Sequence, residues 1–179
     1  MPKTVLVPLL EGFEELEVVA PVDILRRAGV EVHLAAVDEA QMAVKGRNGM
    51  VLTADSTMTA QVHRAHDLLL VPGGPAVKAL RSDAKVRAAV QQQAVTGGHL
   101  AAICAGPLVL LDAGVLPERY CAHFSTKDEL ANALDERVVV DGRVVTSQGA
   151  GTAVEFGLAL VELLVSADEA AAVAKAIVA

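Results

Sequence analysis

Short apolar runs alternating with helix-like segments set the tightest limit on how this chain folds. Strand-like runs lie at Thr4–Leu9, Glu31–Val37, Asp67–Val71 and His99–Ile103, each followed by a turn or by residues at helical spacing. The chain is 53% hydrophobic but only 2% aromatic, so Val, Leu, Ile and Ala must build its core. Runs apolar at successive positions suit strands covered on both faces, as in a parallel sheet. Helices are expected at Glu14–Ala28, Asp83–Thr96, Pro107–Ala113, Thr152–Val165 and Asp168–Ile177. The pattern predicts an α/β fold, a mostly parallel sheet with helices on both faces. A small β-hairpin is added where Met42–Gly46 and Met50–Thr53 flank Arg47-Asn48-Gly49, because Asn-Gly supplies the positive φ of a tight turn. Arg137–Asp141 and Arg143–Thr146, flanking Gly142, read as a second ribbon.

Length and charge narrow the function classes. A chain of 179 residues without linker, repeat or low-complexity tract reads as one domain, 1–179, with a sizeable core. Its net charge of −7 and lack of a basic cluster argue against nucleic acid, since phosphate neutralisation needs grouped Lys or Arg. A membrane surface is disfavoured for the same reason. Lys3–Leu10 is too short and too soon acidic for a signal peptide or a span, so it is expected to be a first strand. Two cysteines, Cys104 and Cys121, imply no disulfide framework and predict a cytoplasmic, reducing environment. Without a Cys-x-x-Cys spacing or partner ligands, no metal site is expected.

Ligands of open parallel sheets bind beyond the carboxyl ends of the strands. Three predicted strand ends carry chemistry. Ala101-Ala-Ile-Cys-Ala-Gly-Pro107 places Cys104 between a buried strand and a helix opened by Pro107. A helix N-terminus lowers a thiol's pKa, and a strand-to-helix turn is where hydrolases carry their nucleophile. A small buried cysteine packing helix on sheet is an equal alternative on this motif alone.

After the first strand, Glu14, Glu15 and Glu17 begin a helix, where the dipole favours carboxylates. That suffices for Glu14 and Glu15. Glu17 lies among Leu16, Val18, Val19 and Val22, which could bury it, raise its pKa and fit it as a proton donor or acceptor. Gly73 and Gly74, in Pro72-Gly-Gly-Pro75, form a turn whose backbone N–H groups could approach an oxyanion, with Gly74 and Ala105 flanking Cys104. Among the histidines, His33 and His99 lie in strands and His63 and His66 read as surface residues. His123, in Tyr120–Ser125, suits a strand end or loop.

Together, Glu11–Gly29, Leu70–Gly74, Ala101–Pro107 and Thr146–Thr152 closely resemble the DJ-1/PfpI superfamily, nearest its DJ-1/YajL branch, in order along nearly the whole chain. The resemblance implies a flavodoxin-like sandwich and a homodimer. It places the reactive cysteine at Cys104, its partner glutamate at Glu17 and the branch's histidine at His123, with Gly74 and Ala105 as donors around the thiol. It also implies that Arg27 and Arg47 support the pocket and dimer contact; each reads equally well as a solvated surface charge. Ala105 stands where PfpI peptidases have a histidine, and Glu155 follows Ala153-Val154 rather than the His-x-Glu of glutamine amidotransferases, so both activities are disfavoured. Ala150 replaces a proline common in relatives.

Two functions follow from the resemblance. One is a cofactor-independent glyoxalase III or protein deglycase acting on methylglyoxal-like dicarbonyls, without metal or glutathione. The other is a redox sensor or chaperone in which peroxide oxidises Cys104 to a sulfinate stabilised by Glu17.

Overall fold

A computed structural model describes residues 2–179. The chain runs through β1 (Thr4–Leu9), α1 (Glu15–Arg27), β2 (Glu31–Ala36), β3 (Ala43–Lys45), β4 (Val51–Thr53), β5 (Ser56–Thr57), α2 (Met58–Gln61) and β6 (Leu68–Val71). It continues through α3 (Val77–Leu80), α4 (Ala84–Val95), β7 (His99–Ile103), α5 (Pro107–Asp112), β8 (Val138–Asp141), β9 (Val144–Ser147), α6 (Ala153–Leu164) and α7 (Ala167–Ile177). Seven strands form one sheet in the order β5-β2-β1-β6-β7-β9-β8, parallel except for the β8–β9 pair. β3 and β4 pair as a separate antiparallel hairpin.

Alternation along the strands divides the core in two. Val5, Val7, Leu9, Leu68, Leu70, Ala101 and Ile103 pack on one face with apolar residues of α1, α6 and α7. Leu6, Leu69, Val71, Leu100 and Ala102 pack on the other with residues of α2 to α5. Both faces are therefore dry, which accounts for the unbroken apolar runs.

The expected strands and five long helices form within a residue or two of their predicted ends. The second ribbon does more than expected, because β9 joins the main sheet parallel to β7. Three elements lacked a sequence signal: β5, α2 and α3, of two to four residues, are too short to show a period. His66, read as a surface residue, is half-buried against His33 with ring centroids 5.7 Å apart, and neither of its buried ring nitrogens finds a hydrogen-bond partner.

Candidate active site around Cys104

β1, β6, β7 and β9 are parallel, so the loops leaving them open on one edge of the sheet. Cys104 occupies the turn between β7 and α5 with φ at +64°, in the left-handed region a side chain enters at a cost of about 1–2 kcal/mol. Two bonds hold it there: its N–H donates to the Ser147 carbonyl at 2.9 Å, and its own carbonyl accepts from the His123 N–H at 2.9 Å. Cys104 is half-buried at the tip of this elbow.

Glu17 is the third residue of α1 and is 1% exposed. Glu14 caps the helix, accepting the Glu17 N–H at 2.9 Å. The Glu17 carboxylate accepts the Gly73 N–H at 2.9 Å and lies beside Cys104, the two side chains meeting over Gly73. Glu14 and Glu15, expected only to complement the helix dipole, do more. Both are buried, and Glu15 accepts the backbone and side-chain N–H groups of Asn48, tying the β3–β4 hairpin to α1.

Burial pushes the Glu17 carboxyl up to about 7, against the opposing pull of the neighbouring Cys104 thiol. The thiol is pushed up to about 12, first by burial and then by the Glu17 charge beside it. This overturns the expectation of a lowered thiol pKa. The nearby Gly74 and Ala105 N–H groups oppose the rise but are outweighed. Both upward pushes from Glu17 require its carboxylate form. A proton on Glu17 removes them and leaves burial, the larger cause, to hold the thiol up.

The Pro72–Gly74 loop divides its labour. The Gly73 N–H is committed to Glu17 and is not free for an oxyanion, a correction to the sequence reading; Gly74 and Ala105 remain as the donors turned toward sulfur. A Cβ on Gly73 would overlap the Glu17 carboxylate and stand 2.6 Å from Cys104 Cβ, so only glycine allows this approach.

His123 reaches the same place through the bond of its backbone to Cys104. Its Nδ1 lies 2.8 Å from Ser125 Oγ and accepts the Ser125 N–H at 3.3 Å, which leaves Nε2 to carry the proton of a neutral ring. Gly149 is the site residue sequence reasoning left without a role. A Cβ there would lie 3.4 Å from His123 Cδ2, 3.7 Å from Glu17 Oε1 and 3.9 Å from Cys104 Cβ, so the three candidate residues converge on it. Thr152 fixes this loop by bonding both the N–H and the carbonyl of Gly149, which holds its shape with Ala150 in place of proline. Beyond His123 and Gly149 opens a cleft of about 630 Å³, walled also by Phe124, Leu130 and Arg137.

The two arginines separate. Arg47 is exposed on the hairpin, anchored by its N–H to the Phe13 carbonyl at 2.9 Å, and its charge favours the Glu17 carboxylate. Arg27 lies ten residues after Glu17 on α1, about 15 Å along the axis. It pairs with Asp23 at 2.7 Å and takes no part in the Cys104 site of its own chain. Among the described residues, no three His, Cys, Asp or Glu side chains are grouped to hold a metal ion.

An open parallel sheet with a cysteine elbow, a buried glutamate against the thiol and backbone donors around it defines a class of α/β proteins with a reactive cysteine. The sequence profile of the DJ-1/PfpI family matches residues 3–163, and the chain belongs to that family. It is 36% identical over 158 residues to the glutathione-independent glyoxalase DJR-1.2 of Caenorhabditis elegans, covering 86% of this chain and 84% of that one. Among solved structures, DJ-1beta of Drosophila melanogaster superposes with a TM-score of 0.95 at 34% identity over 99% of this chain and 98% of that one. Oxidized Toxoplasma gondii DJ-1 gives 0.93 at 33% identity, with 98% of each chain covered. The chain spans less than half the length of two Arabidopsis thaliana relatives, DJ-1 homologs A and B.

Proposed function

We propose that the protein is a cofactor-independent glyoxalase acting on small α-oxoaldehydes such as methylglyoxal. The carrying observation is the buried Glu17 carboxyl, held by the Gly73 N–H and set against Cys104 at the strand-to-helix elbow. A proton moves from Cys104 to Glu17, and the thiolate attacks the aldehyde carbon. The carbonyl π pair becomes an alkoxide held by the Gly74 and Ala105 N–H groups, which takes the Glu17 proton to give a hemithioacetal. The Glu17 carboxylate then removes the C–H proton to form an enediol, and reprotonation of the neighbouring carbon, with His123 as the second proton carrier, yields a lactoyl thioester. Water cleaves the thioester, releasing lactate and returning the thiol. The substrate is isomerised and hydrated with no external oxidant or reductant. The worm relative bearing the glyoxalase name lends the reading support.

Lactate formation from methylglyoxal without glutathione tests it. Cys104→Ser should abolish turnover, Glu17→Gln should lower kcat by about 10²–10⁴, and His123→Ala by a smaller factor. Wild type no faster than Cys104→Ser would end the enzymatic reading. A peroxide-sensing role is the second reading, favoured by the carboxyl poised to donate a hydrogen bond to an oxygen added at sulfur. It calls for two oxygens on Cys104 before any on the buried Cys121.

The molecule is also proposed to pair with a second copy. Leu16 and Val19, exposed on one face of α1, and Met50 and Val51, exposed on the adjoining hairpin, offer the surface.

A further inference from the structure

Three stretches leave the site along different parts of the chain and meet again at one side chain. From Gly74 the chain passes through α3 to Arg81, at the helix's C-terminal cap. The elbow runs from Cys104 through α5 to its last residue, Asp112. The third stretch runs from His123 through the single 3₁₀ turn Phe124–Thr126 to Glu129. The Arg81 guanidinium grips both distant carboxylates. Nε and Nη2 donate to Asp112 at 2.6 and 2.9 Å, while Nη1 and Nη2 donate to Glu129 at 2.8 and 2.6 Å. These bonds hold the carboxyls of Asp112 and Glu129 below the usual carboxylate range.

An isolated exposed ion pair contributes roughly 0–1 kcal/mol, but two forked pairs on one guanidinium form a network with fixed geometry. The Arg81 and Asp112 side chains are only 24% and 25% exposed, so water competes weakly for that arm of the grip, while Glu129, 49% exposed, closes it from the solvent side. Lysine, a point charge without a planar fork, could not reproduce it.

We propose that Arg81 is a positioning residue whose double carboxylate grip holds the stretches bearing Gly74, Cys104 and His123 in register. Arg81 touches neither thiol nor substrate. It acts through the backbone donors and the ring that those stretches carry, and at an elbow held by single hydrogen bonds a misplacement near 1 Å is costly. The turnover part of the test rests on the glyoxalase reading; the sulfur part stands without it.

The test compares wild type, Arg81→Leu and Arg81→Lys. One measurement is the pH profile of Cys104 alkylation by iodoacetamide, followed by mass spectrometry with buried Cys121 as internal control. The other is kcat and KM for methylglyoxal. Arg81→Leu should slow Cys104 alkylation about threefold or more across the profile from about pH 6 to about pH 9, as the backbone N–H groups shift away from sulfur. It should cut kcat about tenfold while KM stays within about twofold, and Arg81→Lys should recover part of both. A folded Arg81→Leu protein with lower Tm but wild-type alkylation profile would overturn the proposal and leave Arg81 merely structural. Should Arg81→Leu fail to fold, Asp112→Asn, which frees the elbow alone, takes its place in the alkylation measurement with the same expected and overturning results. If wild type makes no lactate, the glyoxalase reading fails, and the alkylation profile still decides on Arg81.

Discussion

Glu17 shows what the site costs the fold. The buried carboxyl keeps its proton up to about 7, whereas in the unfolded chain it ionises near its ordinary 4.5. Stability from this group is therefore complete below pH 4.5 and is lost as pH rises to about 7, an interval worth roughly 3 kcal/mol. Glu17→Gln keeps an acceptor for the Gly73 N–H and cannot ionise. The variant should match wild type in urea unfolding near pH 4.5 and exceed it progressively up to pH 7.5, by a few kcal/mol at most. The residue that improves stability would be the one that destroys turnover, the trade expected where a charge is buried for chemistry. A constant difference between the two proteins across that range would show that burial does not tune Glu17.

At the scale of elements, the corner joining α2 to β6 carries the opposite pH dependence. Burial, then the neighbouring His33 charge and that of Arg64, holds the His66 pKa below its ordinary 6.5, while the Gln61 backbone and Asp67 pull the other way. The folded protein thus refuses a proton that the unfolded chain accepts. This stability is present above pH 6.5 and is lost as pH falls through and below it. His66→Phe removes two buried ring nitrogens that lack partners, so it should unfold at higher urea than wild type at pH 7.5, by about 1 kcal/mol, and by more at pH 5. Equal loss of stability on acidification in both proteins would place the acid sensitivity elsewhere.

The same corner marks where sequence reading stopped. β1 and β7 were legible because five or six apolar residues in a row leave few alternatives, and Glu17 because apolar neighbours surround it. α2 and α3 were not, since a four-residue helix shows no period and α3 lacks a side-chain cap. The Cys104 elbow was legible as a place, but its raised pKa was not: desolvation depends on the Glu17 and Gly73 contacts brought from two other strand ends. Gly149 stood in a recognised motif. Its role appears only when β9 is laid beside β7, bringing the loop over the thiol.

On the scale of the whole molecule, the parallel sheet collects chemistry on one edge and leaves apolar residues exposed nearby. Leu16 is 57% exposed on the same helix turn that buries Glu17, and Met50 and Val51 are each 57% exposed on the hairpin that Glu15 ties to that turn. Covering this face with a second copy would remove these side chains from water at roughly 25 cal/mol per Å² of apolar surface. The face adjoins the helix end that positions Glu17, so association would also bear on the site. Leu16→Glu sets a charge on the proposed symmetric contact, where each copy would face the other's carboxylate. In analytical ultracentrifugation, wild type should sediment as a dimer at micromolar concentration and Leu16→Glu as a monomer with an unchanged circular dichroism spectrum. A dimer that survives Leu16→Glu would move the interface away from this face, and a monomeric wild type would remove it.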